Sequence, residues 1–261
     1  MRHHANQLML AGFLISAVCV AAILTPAATV AGSHEAVFDE REKEAIESIV
    51  TEYLLDNPEI IMRVLLVLQE REQAAKQAQE MTALSAHRDA LERDPNSPTA
   101  GNPDADVTIV EFFDYRCPYC KRVGPLVRRL REEDDHVRIV YKEWPILGPE
   151  SLFAARAALS AHAQGKYLEF HEKVMGQRQV TEASVLEAAN EIGLDMERFR
   201  GDMDSPKVRD QIRQTMELAR SLGLSGTPAF VIGNRLIRGA TDYNGLVEAV
   251  AEHRKDLDSG N

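Results

Sequence analysis

The sequence predicts an α/β protein preceded by a helical segment, and three observations predict it. A β-rich run, Val107-Thr108-Ile109-Val110-Glu111-Phe112-Phe113, leads into Cys117-Pro118-Tyr119-Cys120, and a helical pattern with Val123, Leu126, Val127 and Leu130 on one face follows. Near the C-terminus, Ser225-Gly226-Thr227-Pro228 precedes two short apolar runs, Ala229-Phe230-Val231-Ile232 and Arg235-Leu236-Ile237, which flank Gly233-Asn234 as a hairpin with a two-residue turn. Residues 38–91 and 149–224 carry helical periodicity, so helices both precede the strands and interrupt them.

The first residues read as a targeting segment. Arg2 and two histidines stand before an apolar run over residues 8–24, and Pro26-Ala27-Ala28-Thr29-Val30-Ala31-Gly32 offers small residues for cleavage near 28–32. Residues 1–32 therefore read as a secretory signal peptide, which directs the mature chain to the periplasm. The alternative is an uncleaved membrane anchor, because a run of about 17 residues sits at the lower limit for spanning a bilayer. With Cys19 in the signal, the mature chain holds Cys117 and Cys120 alone. An oxidising compartment permits a disulfide, but so short a loop makes a poor structural staple, so the pair is there for chemistry. The net charge is −11, which argues against nucleic acid or an anionic membrane as a partner.

Residues 33–94 read as a helical segment. Ile46, Ile49, Val50, Tyr53 and Leu54 form one apolar face. Asn57 suits an N-cap and Pro58 a first helical position, and a second helix runs through Ile60, Ile61, Val64, Leu65, Val67 and Leu68 into a polar stalk. Helices of this kind cannot enclose a core alone. They either pack on the remaining domain or pair with copies of themselves, and an apolar segment ahead of a polar stalk favours self-association. Residues 94–103 have the composition of a linker. The catalytic domain, residues 95–261, holds the cysteine strand, a second strand over residues 137–142, the helical insertion at about 149–224, the hairpin, and a last helix with Leu246, Val247 and Val250 on one face.

Strand, Cys-x-x-Cys, helix is the setting in which such a pair reads as redox-active. Cys117 falls at the first turn, where unpaired N–H groups and the helix dipole favour an anion, and the thiolate is the reactive form. Cys120, one turn on, lies behind it and closes the disulfide. Half a zinc site is the other reading, but the further ligands a closed site needs are missing, since the histidines are scattered. No resident metal is therefore expected. Glu111 interrupts an apolar strand whose faces are both covered, which places its carboxylate beside the motif.

From about residue 99 to 253 the chain resembles the DsbA-type periplasmic thiol–disulfide oxidoreductases of the thioredoxin superfamily. The matching residues are Glu111-Phe112-Phe113, Cys117-Pro118-Tyr119-Cys120, Trp144-Pro145, Gln164-Gly165-Lys166 and Gly226-Thr227-Pro228. Tyr53-Leu54-Leu55-Asp56-Asn57-Pro58-Glu59-Ile60-Ile61 resembles the oligomerisation region of the ScsC-like, suppressor-of-copper-sensitivity branch. The resemblance implies a thioredoxin fold with an inserted helical domain, a cis peptide bond before Pro228 facing the cysteines, and substrate held by Thr227 and Pro228. It also implies a buried acid at Glu111 with a lysine, Lys142, on the next strand, moving protons and tuning the cysteines together with Pro118 and Tyr119.

DsbA-type oxidases carry His where Tyr119 stands and Val where Thr227 stands. A tyrosine supplies no charge to a thiolate, and a less stable thiolate makes a less oxidising disulfide. Both departures point to a disulfide isomerase or reductase acting on exported proteins, reset by a membrane redox partner and assembled as a homo-oligomer, a trimer by the ScsC resemblance. The alternatives are a monomeric dithiol oxidase and a copper-tolerance protein whose two thiolates hold Cu(I) as soft ligands.

Overall fold

A computed structural model describes residues 38–259, so the signal segment lies outside the described residues. The chain divides into two units, one ending at Met62 and the other starting at Arg63.

In the first unit, α1 (Glu40–Asp56) opens on a capping box, in which the Glu42 N–H donates to Asp39 Oδ1 and the Asp39 N–H to Glu42 Oε2, both at 2.8 Å. This satisfies donors that a helix start leaves orphaned. Asn57, expected to open the next helix, instead closes α1: its N–H and its side-chain Nδ2 both donate to the Tyr53 carbonyl, at 3.0 and 2.8 Å. No residue of α1 is buried; Ile49 is 65 % exposed and Leu55 75 %.

The helix α2 (Glu59–Ala86) begins in the first unit and runs into the second, followed by α3 (Arg88–Glu92). The strands are β1 (Thr99–Gly101), β2 (Val107–Phe113), β3 (Val137–Glu143), β4 (Ala229–Ile232) and β5 (Arg235–Arg238). They form one sheet in the order β1-β3-β2-β4-β5, with β2 and β3 parallel and every other pair antiparallel. Helix α4 (Pro118–Glu133) connects β2 to β3. The insertion is α5 (Pro149–Ala163), α6 (Tyr167–Met175), α7 (Glu182–Glu191), α8 (Met196–Met203) and α9 (Pro206–Ser221), and α10 (Tyr243–Ser259) ends the fold. The helices of the insertion break at residues that suit helix ends: Gly165 has φ 73°, Gly176 caps α6, and Ser205 caps α9 with Pro206 in the first turn.

The linker expected over residues 94–103 is not one. Thr99, Ala100 and Gly101 pair with Val140, Ile139 and Arg138, and Ser97 is buried. Gly101 has φ 91°, and a Cβ there would meet the Val137 carbonyl oxygen at 2.5 Å, so the composition that suggests flexibility marks a crowded strand end.

The sheet is covered on both faces, which is why β2 and β3 read as near-continuous apolar runs. One face packs Val107, Ile109, Phe113, Ile139 and Tyr141 under α4, α10 and the insertion. The other packs Val110, Phe112 and Val140 under Leu218 of α9 and Leu222 at its C-cap, and under Leu84 and Leu91, near the ends of α2 and α3. On α10, Leu246 and Val250 are buried as expected, but Val247 is 40 % exposed and Ala249 fills the third place. Since Leu84 is wholly buried, Leu84→Ala should lower stability by about 2–5 kcal/mol. Urea unfolding measures this; an unchanged midpoint would mean that α2 does not cover the sheet.

Candidate functional site

The site lies where β2 hands over to α4. Asp114 fixes that corner. Its buried carboxylate accepts the Arg116 N–H (2.7 Å) and the Ser151 hydroxyl (2.8 Å) through Oδ1, and the Ile146 and Leu147 N–H groups (2.8 and 3.0 Å) through Oδ2. The Asp114 carbonyl also accepts from the Cys117 N–H at 3.0 Å. A carboxylate so bound ties the cysteine turn to the loop leaving β3. Nothing in the sequence singles it out, because an Asp in a turn looks like any other.

Cys117 is the N-cap of α4, with Pro118 next in the first turn, where a missing N–H costs nothing. The Cys120 N–H points at Cys117 Sγ at 3.4 Å, and the Cys117 thiol donates to the Thr227 carbonyl at 3.3 Å. The Thr227–Pro228 bond is cis. The two cysteines are unbridged and differ in environment: Cys117 keeps 3 % of its surface exposed and Cys120 none. Burial pushes the Cys120 thiol far up, and the nearby Cys117 and Glu111 charges add to this. Tyr119 points outward, 52 % exposed, with the Arg122 guanidinium 5.1 Å from its ring centroid.

Glu111 is buried on the α4 side of β2, and its Oε1 has no hydrogen-bond partner among the described residues. Burial alone raises its pKa to about 8. It lines a cavity of about 230 Å³ together with Val127, Tyr141, His171 and Met175.

The expected Glu111–Lys142 pair does not form. Glu111 stands opposite Tyr141 and Lys142 opposite Phe112, one residue out of step, so their side chains leave opposite faces of the sheet. Lys142 Nζ donates to the Ala90 carbonyl (2.6 Å) and Ser97 Oγ (2.7 Å), and lies 3.4 Å from Asp94 Oδ2. Burial pushes its pKa down while Asp94 holds it up. Lys142 thus fastens α3 and the start of β1 to the sheet.

A second buried cluster was also not legible. Tyr115 and Tyr167 both donate to Glu143 Oε1, at 3.1 and 2.8 Å, and His171 Nδ1 lies 3.2 Å from the Tyr115 hydroxyl. Burial pushes Glu143 well above the carboxylate range and lowers His171 to about 3, so the imidazole stays neutral. Among the described residues no group of three or more His, Cys, Asp or Glu is placed to hold a metal ion.

A helix-capping cysteine against a cis-proline loop, with a second thiol buried behind it on a sheet of this topology, defines the class: a thioredoxin-fold thiol–disulfide oxidoreductase. Residues 108–251 match the DSBA-like thioredoxin domain, and the chain belongs to that family. Residues 42–75 match the copper resistance protein ScsC N-terminal domain, which marks it as an ScsC-like, DsbA-type protein. Similar solved structures include a thioredoxin-like oxidoreductase from Silicibacter pomeroyi DSS-3, 51 % identical over 64 % of this chain and 98 % of that one, TM-score 0.63. Another is Proteus mirabilis ScsC in a transitional conformation, 31 % identical over 84 % of this chain and 97 % of that one, TM-score 0.61. The thiol-disulfide exchange protein alpha-DsbA2 from Wolbachia pipientis is 31 % identical over 68 % and 97 % of the two chains, TM-score 0.64. Among curated proteins, Na(+)/H(+) antiporter NhaA 3 of Salinispora tropica is 33 % identical over 58 % of this chain. The chain spans about a quarter of the length of such antiporters, 24 % of that one. Among the described residues no helix is long and apolar enough to cross a membrane.

Two measurements probe this geometry. In the reduced protein, iodoacetamide should modify Cys117 well before Cys120, because Cys120 is enclosed and its thiol is held protonated; mass mapping that finds Cys120 labelled first would reverse the assignment. Glu111 titrates near 4.5 when unfolded and near 8 when folded. The folded form therefore keeps a proton that the unfolded form loses, and stability falls between those pH values by roughly 1.4 kcal/mol per pH unit, levelling above the upper one. Glu111→Gln should remove this slope from the difference between wild-type and variant unfolding curves.

Proposed function

We propose that the protein is a disulfide isomerase and reductase acting on exported proteins in the periplasm, with Cys117 and Cys120 as the redox pair. The carrying observation is Cys117 at the start of α4 against the Thr227–Pro228 loop, with Cys120 enclosed behind it. The Cys117 thiolate attacks a client disulfide: a Cys117–client S–S bond forms, the client S–S bond breaks, and the second client sulfur leaves as a thiolate. In isomerisation that thiolate attacks another disulfide of the client, and a client sulfur finally expels Cys117, with no net electron transfer. In reduction Cys120 gives up its proton, attacks Cys117 Sγ and releases the client as a dithiol. The two electrons are then returned by a membrane redox partner.

Cys120 is the thiol that needs a base, since burial holds it protonated, and Glu111, poised near pH 8, is the carboxylate charge that bears on it. Thr227 and Pro228 hold the client strand. Pro228 offers no N–H, and the Thr227 carbonyl, bonded to the Cys117 thiol in the free protein, becomes available once that sulfur is bonded to a client. Lys142 acts here only as a structural anchor.

Self-association favours isomerase over oxidase. The apolar residues Ile46, Ile49, Val50, Tyr53 and Leu55 are all exposed on a helix with no buried residue, and their burial against other copies is worth roughly 25 cal/mol for each Å² covered. A homotrimer, the state proposed from the ScsC likeness, brings several redox pairs to one client at high effective concentration. The test is a refolding assay on a scrambled-disulfide protein beside a dithiol-oxidation assay, with sedimentation of the full chain and of Ile49→Glu. Isomerase activity and an oligomer in the wild type, both lost in Ile49→Glu, are expected. A monomeric wild type that oxidises dithiols but does not rescue the scrambled protein would make it an oxidase.

A further inference from the structure

The chain as a whole is strongly acidic, with a net charge of −11, yet the surface around Cys117 is not. On the Thr227 side a groove of about 530 Å³ is lined by Tyr119, Arg122, Thr227 and Arg238, with no acid in its wall. On the Arg116 side a groove of about 370 Å³ is lined by Arg116, Lys121 and Arg178, with Glu150 as its one acid. Glu150 is already bound to Arg116 at 2.8 Å. Arg122 and Arg178 are exposed and make no ion pair among the described residues, and Arg122 lies against the outward-facing Tyr119 ring. Arg238 is half-exposed and its Nη1 lies 2.6 Å from Glu80 Oε2 on α2. Five cations therefore line the grooves beside Thr227, which contacts Cys117, and Arg116, which precedes it, two of them paired with Glu150 and Glu80, and they do so against the sign of the molecule.

Resting on the reading of Cys117 as the exchanging thiol, we propose that this rim selects clients: it favours disulfides flanked by aspartate and glutamate in unfolded exported chains. A client strand laid along the Thr227–Pro228 loop runs through the first groove, where its side chains meet Arg122 and Arg238. Opposite charges there steer the encounter and hold the register, while the negative bulk of the surface repels the same client elsewhere. The exchange step itself is unchanged: the Cys117–client bond forms, the client S–S bond breaks, and the charge passes from the Cys117 thiolate to the departing client thiolate. Glu80 modulates the preference, because a client carboxylate competes with it for Arg238.

The experiment uses the reduced full chain and synthetic peptides, each closed by one internal disulfide whose flanking residues are Glu, Gln or Lys. Second-order rates of peptide reduction are read by acid quench and chromatography. At low salt the Glu peptide should react about tenfold or more faster than the Lys peptide, and the ratio should fall toward one near ~0.5 M salt. The Arg122→Gln, Arg238→Gln double variant should reduce the Glu-to-Gln ratio several-fold. The Arg122→Lys, Arg238→Lys variant should keep it, since charge and not fork geometry carries the effect. Glu80→Gln should raise it by freeing Arg238. Reading a ratio cancels any general change in Cys117 reactivity. Equal rates for all three peptides at low salt, or a ratio untouched in the Gln double variant, overturns the proposal and leaves the exchange reading standing. No reduction of any peptide overturns both.

Discussion

The burial of β2 on both faces is the constraint on which the rest depends. Val110 and Phe112 pack on one side, Ile109 and Phe113 on the other, so the strand cannot slip or tilt without emptying a core. Its C-terminal end is thereby a fixed point. From there Asp114 turns the chain and Cys117 caps α4, and the hairpin strand β4, paired to β2 through Ile109–Phe112, brings Thr227 and Pro228 to the same end. Both halves of the site are thus registered against a single strand, although they stand far apart in sequence.

Three buried acids, Asp114, Glu143 and Glu111, and the partly buried Asp94 show how one residue class takes different tasks from its surroundings. Asp114 is saturated with N–H and O–H donors and acts as a brace. Asp94 binds Ser97, Gln211 and Lys142 and closes the second face of the sheet. Glu143 shares one oxygen between two tyrosine hydroxyls, and enclosure pushes its pKa well above the carboxylate range. Glu111 has burial without a partner for Oε1, and this isolation places its titration in the working pH range. An acid with fewer bonds is the more useful proton acceptor, because nothing else holds it in either charge state.

Helix α2 serves two demands along its length. Leu84 near its end is sealed against the sheet, whereas Val64, Leu65, Leu66, Val67 and Leu68 are exposed apolar residues. The polar stretch between them, rich in Gln, Glu and Ala, has a high helix propensity and little to bury, so it transmits the helix without needing a core of its own.

The sequence by itself determined the elements and the redox motif. Short apolar runs mark β2 and the two strands flanking Gly233-Asn234, period-3.6 patterns mark the helices, and Cys117-Pro118-Tyr119-Cys120 between strand and helix places the cysteines, because these signals are local. Glu111 was legible as buried, since a lone acid in an apolar strand has nowhere else to go. Only the tertiary structure decided what lies opposite what. Lys142 pairs with Asp94 and not with Glu111, because face is set by register between strands and not by nearness in pattern. Thr99–Gly101 form a strand although the composition of residues 94–103 reads as linker, because the partner β3 and the tight approach at Gly101 are distant in sequence. The Asp114 clamp, the Glu143–Tyr115–Tyr167–His171 cluster and the cationic rim around Cys117 are assembled from separate elements. Each depends on distances that arise only when those elements pack, and so none leaves a periodic trace in the chain.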